Sequence, residues 1–323
     1  GVQLGDRKGI RVDDMMKTNV DGIYAAGDAV EVVFPVDGSK ALIPMAGPAN
    51  RQARIAADNA LGYSGSRYRG SLGTAICKVF DLAVATVGAS EKVCKKSGIA
   101  YQKTIVHPAS HAGYYPGSFP MTLKVLFAPE TGKILGAQAV GAAGIDKRID
   151  VISTAIAGGL TVYDLEHLEL CYAPPFGSAK DAVNYAGFTA SNILRGFMTP
   201  FYVEDIPSID RDKQALLDVR TADEVAAGMI PGALHIPLHS LRQRAGELPA
   251  GKSFIVYCQS GLRSHVACRM LNQNGLKCSN LIGGYKSYSL MYRKTQPLPP
   301  IAYTTEPFCG TPEKAPEQPS PAG

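Results

Sequence analysis

The apolar positions change rhythm twice along the chain. Residues 10–13 and 22–26 are short β-type runs, and "AGPANRQARIAADNAL", residues 46–61, has the Ala- and Arg-rich pattern of a helix packed on a sheet. A sheet edge and one helix are too little to fold alone. From Thr74 onward, "TAICKVFDLAVATVGAS" and "MTLKVLFAPETGKILGAQAVG" predict a strand pair and a hairpin turning at Pro129 to Gly132. Helices follow in "IDVISTAIAGGLTVYDLEHL", so an antiparallel α+β domain is expected to end near Arg195. Residues 196–213, with two prolines and a charge cluster, predict a linker. Beyond it, "ALLDVRTADEVAAGMIPGALHIPL", "SFIVYCQSGLRSHVACRMLNQNG" and "CSNLIGGYKSY" alternate strand and helix, which argues a parallel sheet covered by helices. The tail 296–323, rich in Pro, Glu and Ser, is expected to be disordered.

Composition narrows the partners. The 323 residues suffice for about two domains, and 46% hydrophobic content supports a sizeable core. A net charge of +5 is spread without a basic block or interleaved aromatic patch, so neither nucleic acid nor a membrane surface is the expected partner. A small molecule or another protein chain is. No stretch reaches membrane-span length, and Gly1-Val2-Gln3 opens without a signal-peptide pattern, so a cytoplasmic protein is expected. Seven scattered cysteines form neither a paired framework nor a CxxC spacing, which fits reduced thiols. The six histidines lack ligand spacing, and no metal is expected. Because the chain enters almost at once into "GIRVDDMMKTNVDGIYAAGDA", it reads as a fragment of a longer protein.

The stretch "IVYCQSGLRSHVA", residues 255–267, places Cys258 at the end of a strand and before a helix. Such a corner turns backbone N–H groups and the positive helix end toward its first residue, favouring a thiolate. Gly261 permits the tight backbone path and Arg263 is expected to close the ring with a fixed cation, making Cys258 a low-pKa, accessible nucleophile. The C-x4-R ring is smaller than the C-x5-R ring of phosphate-transferring cysteine enzymes. Sulfur transfer is therefore favoured over phosphate removal. Together, "LLDVRTADEVAAGMIPGALHIPL", "CQSGLRS" and "LIGGY" resemble a rhodanese domain over about residues 203–295, which implies a persulfide on Cys258 held by loop amides. Met229 departs from the histidine usual before "IPGA" in that family. Cys268 and Cys278 read as packing residues.

The pattern in "TNVDGIYAAGDAV" resembles the second flavin-contact motif of pyridine nucleotide-disulfide oxidoreductases. That resemblance implies that Asp28 holds the ribityl chain, that Gly27 lets backbone approach the FAD pyrophosphate, and that the helix starting near Ala46 points its positive end at the flavin. Taken alone, Asp28 could equally be a helix N-cap. "GTAICKVFDLAVATVGASE", "HAGYYPGS", "ILGAQAVGAAGIDKRIDVISTAI" and "LELCYAPPFGSAKDAVNYAG" are similar to the dimerisation domain of coenzyme A-disulfide reductases and of related NADH oxidases and polysulfide reductases. The implied parts are the end of an FAD-binding domain at 1–62, a dimerisation domain at 63–195 and the rhodanese domain.

By that resemblance Tyr114 and Tyr172 lie beside the coenzyme A thiol of a homodimer, where a phenol can hydrogen-bond a thiolate leaving group. The alternative for either is ordinary packing with a satisfied hydroxyl. His111 is a candidate general acid, and Cys171 reads as packing. The glycine-rich turns for FAD and NAD(P)H and the redox cysteine that such enzymes need do not occur in this chain. The implied activity is an FAD-dependent NAD(P)H reduction of a small-molecule disulfide, persulfide or polysulfide. The alternative is a dimerising sulfur-carrier scaffold without redox activity.

Overall fold

The computed structural model describes residues 1–63 and 65–292; the expected disordered tail, with Cys309, lies outside them. The N-terminal part is small. Strand β1 (Ile10–Arg11) runs parallel to β2 (Val30–Val33), which pairs antiparallel with β3 (Lys40–Leu42), and helix α1 (Ala46–Ala60) follows. The helix expected at 46–61 is thus present, but 22–26 is not a strand. Gly22 turns the chain at φ 75°, and only Tyr24 makes an isolated bridge, to Lys17. The paired strand comes later, in "VEVV".

The second part is an antiparallel sheet of β4 (Ala75–Val79), β5 (Leu82–Gly88), β6 (Gln102–Val106), β7 (Met121–Phe127) and β8 (Ile134–Gly141), in the order β4-β5-β8-β7-β6, with α2 (Glu91–Ser97) inserted after β5. The β7–β8 hairpin turns where Pro129 and Gly132 predict, Gly132 taking φ 71° and donating to Ala128 O at 3.0 Å. Helices α3 (Ile145–Ala157), α4 (Val162–His167) and α5 (Ala182–Leu194) cover one face. Leu123, Val125, Ile149, Ile152, Val183 and Ala186 close the core between them. The opposite side of β4 and β5 leaves Val79, Leu82 and Val84 exposed.

The third part is a five-stranded, wholly parallel sheet. Its strands β9 (Pro200–Phe201), β10 (Gln214–Asp218), β11 (Leu234–His235), β12 (Ser253–Tyr257) and β13 (Cys278–Leu281) lie in the order β11-β10-β12-β13-β9. Helices α6 (Ala222–Ala226), α7 (Leu238–Arg244), α8 (Leu262–Gln273) and α9 (Gly284–Tyr292) connect and cover them. Continuous apolar runs such as "FIVY" suit a strand buried on both faces. One expectation is corrected here. Residues 196–213 are no loose linker: Pro200–Phe201 pairs with Asn280–Leu281 as the edge strand, and Val203–Ser208 forms a 3-10 turn. Proline fits that place because an edge strand can leave one N–H side unpaired. Among the described residues, no helix is long and apolar enough to cross a membrane.

Candidate functional site

The central strand β12 ends at Tyr257, so Cys258 opens the loop into α8. The loop closes on its own thiol. Gly261, at φ 107°, points its N–H at Cys258 Sγ, 3.2 Å away, and the Ser264 hydroxyl stands 3.5 Å from the same sulfur. A second layer fixes this curl: the N–H of Tyr285 donates to Cys258 O at 2.8 Å and that of Lys286 to Gln259 O at 3.0 Å. Gly284 is required there, because a Cβ would stand 2.4 Å from Cys258 O. The result differs from the expected accessible thiol, since Cys258 is only 1% exposed. Its neighbours on α8 and α9 enclose what the strand-to-helix geometry alone would leave open.

Arg263 stands near enough to Cys258 for the sulfur, after Glu224, to raise its pKa, while its strongest bonds go elsewhere. Its Nη1 and Nη2 donate to Glu224 on α6 at 2.7 and 2.6 Å, pinning the loop to that helix. The Glu224 carboxylate, and after it the neighbouring Cys258, raise the guanidinium pKa against the effect of burial. Arg263 in turn lowers the Glu224 carboxyl to about 2. Arg220, unremarked in the sequence, supports the same loop from below. It pairs with buried Asp218 at 2.7 Å, reaches Gln259 Oε1 at 3.4 Å and lies 4.0 Å from the Tyr285 ring centroid. Cys268 and Cys278 are buried as expected, and burial raises both thiols, Cys278 to about 11. Met229 is half-buried beside this core.

A second cluster forms where the loops after β6 and α4 meet. Tyr114 and Tyr172, 58 positions apart, bring their hydroxyls to 3.2 Å. Both are exposed, and the hydrogen bond with Tyr172 raises the Tyr114 phenol above its ordinary range. Beneath them Arg148 of α3, 2% exposed, donates Nε and Nη2 to Asp181 at 3.2 and 2.7 Å and Nη2 to Ser110 O at 2.8 Å. In sequence Arg148 looks like any charged residue of an amphipathic helix. His111 packs edge-on against Tyr115, ring centroids 5.8 Å apart. Cys171, expected to be packed, is instead exposed on this irregular loop, with its carbonyl rather than its thiol facing Gly177.

The third cluster is at the N-terminal part. Gly27 takes φ 87° and donates its N–H to the buried Gln52 Oε1 at 2.7 Å, which sets it against the first two turns of α1, next to the exposed Asp28. That helix begins at Ala46 without a side-chain cap and without an acidic residue in its first turn. Its unpaired amides and positive end therefore suit an anionic or electron-rich group. Among the described residues no group of three or more His, Cys, Asp or Glu is placed to hold a metal.

Residues 74–183 match the pyridine nucleotide-disulphide oxidoreductase dimerisation domain, 1–53 match the pyridine nucleotide-disulphide oxidoreductase family and 207–291 match the rhodanese-like domain. Coenzyme A disulfide reductase of Staphylococcus haemolyticus is 38% identical over 192 residues, covering 59% of this chain and 43% of that protein. Reduced Bacillus anthracis CoADR-RHD superposes with a TM-score of 0.87 at 47% identity, covering 89% of this chain and 52% of that one. An NAD-dependent persulfide reductase from A. fulgidus gives 0.81 at 36% identity, covering 88% and 51%. The chain spans about half the length of the proteins it matches.

Proposed function

This chain joins pyridine nucleotide-disulphide oxidoreductase segments, including the dimerisation domain, to a rhodanese-like domain, and from that premise we propose that Cys258 carries sulfane sulfur for an NAD(P)H-dependent disulfide or persulfide reductase. The observation that carries this reading is the cradle at Cys258, where an amide N–H and a hydroxyl already point at the sulfur. Those donors suit the extra negative sulfur of a persulfide as well as they suit a thiolate. In the transfer, the Cys258 thiolate attacks the outer sulfur of R–S–SH. One S–S bond forms, the older one breaks, and R–S⁻ leaves with the electron pair and takes up a proton.

Tyr114 and Tyr172 form the second half of the proposal. Their paired, exposed hydroxyls can donate to a thiolate leaving from a coenzyme A disulfide or persulfide, or from a polysulfide. FAD fits the third cluster: Asp28 would accept hydrogen bonds from ribityl hydroxyls, Gly27 would let the pyrophosphate approach, and the amides at Ala46 would face the flavin. When bound, FAD and NAD(P)H supply the electrons that reduce the sulfur–sulfur bond. A homodimer would cover the apolar face of β4 and β5, and a reducing, cytoplasmic setting fits the free thiols.

The test is an intact-mass spectrum after incubation with thiosulfate or glutathione persulfide. A gain of one sulfur that Cys258→Ser lacks supports the carrier, and no gain overturns it. The second reading is a sulfur-carrying scaffold without redox activity, which rests on the same cradle at Cys258. Flavin absorbance of the purified protein separates the two readings.

A further inference from the structure

Where α5 faces the rhodanese-like sheet, a cavity of about 200 Å³ lies directly behind the Cys258 loop. Gly261 belongs to both walls: its N–H serves Cys258 Sγ, and the residue itself lines the cavity. From the other side come Tyr185 and Phe188. Burial, and then the charge of Cys258, raise the Tyr185 phenol, so the ring and the sulfur are electrostatic neighbours.

Two polar atoms in this wall lack partners among the described residues. Asn280, 2% exposed, gives its Nδ2 to Gly261 O at 3.2 Å and to Met198 Sδ at 2.9 Å, leaving Oδ1 unpaired. Flipping the amide would set two carbonyl oxygens against each other, so the orientation is fixed by its surroundings. The second is His265 Nδ1, also buried and unpaired. Both residues line the cavity. Buried polar atoms without partners cost free energy, which a ligand's polar group removes. At the lip, Lys180 lies 5.2 Å from the Phe188 ring centroid and makes no ion pair with the described carboxylates. A mostly apolar chamber with a waiting amide oxygen, an unpartnered imidazole nitrogen, one cation and the Cys258 loop in its wall has a definite complement.

We propose that this cavity docks the sulfur donor of Cys258, an alkyl persulfide whose carbon skeleton carries an ammonium or amide N–H and a carboxylate. The inference rests on the sulfur-carrier reading above and names the donor's chemistry. The N–H group meets Asn280 Oδ1 with the His265 ring beside it, the carboxylate meets Lys180, and the outer sulfur faces Ser260 and Gly261 of the Cys258 loop. Transfer then converts Cys–SH and R–SSH into Cys–SSH and R–SH, with no net oxidation.

Three probes separate the parts of this proposal: cysteine persulfide, cysteamine persulfide, which lacks the carboxylate, and inorganic polysulfide. Sulfur loading of the full chain is followed by intact mass against time. Thr189→Phe fills the cavity from α5 and is expected to lower the ratio of cysteine persulfide to polysulfide loading rates about tenfold. Lys180→Glu, at an exposed position that folding tolerates, is expected to lower the cysteine persulfide rate at least threefold relative to cysteamine persulfide. Unchanged ratios in both variants overturn the docking site while leaving the carrier intact. Failure of all three probes to load unaltered Cys258 overturns the carrier itself and the site with it.

Discussion

Arg148 grips Asp181 on the loop that follows Tyr172 and the Ser110 carbonyl on the loop that carries Tyr114, so one buried guanidinium sets the distance between two exposed phenols. Asp181 also caps α5 through the Val183 N–H at 3.1 Å. The apparent surface motif is therefore held from the core.

Replacing Arg148 by Met leaves the Asp181 charge buried without its partner. The expected loss is about 3–5 kcal/mol of stability, the usual cost of breaking a buried pair. Urea unfolding followed by tyrosine fluorescence measures it, and a loss below about 1 kcal/mol would mean that the pair does not organise these loops.

Tyr172→Phe removes the hydroxyl that raises the Tyr114 phenol. The Tyr114 ionisation then moves down toward its ordinary value, visible in ultraviolet titration against the unaltered protein. No movement would show the two hydroxyls to be independent in solution.

The Glu224 carboxyl is held at about 2 by Arg263. A depressed carboxylate contributes stability above its unfolded value, near 4.5, and loses it as pH falls toward 2. Exposure screens the pair, so the contribution is expected to be about 0.5–1 kcal/mol. Unfolding curves of Glu224→Gln and the parent should differ at neutral pH and converge near the acid end of that window. A constant gap throughout would contradict the linkage.

His107 acts in the same direction, at higher pH. Burial, and then the Lys286 charge, lower its pKa to about 4, and it bridges Thr122 and Ser287 at 2.9 and 2.7 Å. Between pH 6.5 and 4 the unfolded chain takes up a proton that the folded one refuses, so stability falls across that interval, by at most about 3 kcal/mol. His107→Gln should flatten this part of the pH dependence. An equally steep curve in the variant would assign it to other groups.

Gly284→Ala drives a methyl group toward Cys258 O at a backbone angle of φ 59°. Strain of about 1–3 kcal/mol is expected, together with loss of sulfur loading on Cys258. Normal loading in a folded variant would show that the curl of the loop is not needed for the chemistry.

Strong local patterns carried much of this organisation into the sequence. The parallel sheet follows from strand–helix alternation, the hairpin from Pro129 and Gly132, and the corner at Cys258 from Gly261. What stayed hidden depends on contacts between distant segments. Pro200–Phe201 looks like linker because a two-residue strand has no period of its own and is defined only by Asn280–Leu281. The burial of Cys258 depends on Gly284 and Tyr285, well beyond its own loop. Arg148, Glu224 and Asn280 carry ordinary polar side chains in ordinary elements, and only their partners mark them.

The edge strand β9 has a mechanical consequence. Only Arg195–Thr199 separates the end of α5 from a strand built into the sheet that carries Cys258. Lys103 pairs with Glu204 across the same seam, as His107 does with Ser287. So short and so fastened a tether gives the thiol little reach. On the sulfur-carrier proposal, sulfur leaving Cys258 would be handed to a small diffusible molecule rather than carried by a swinging module.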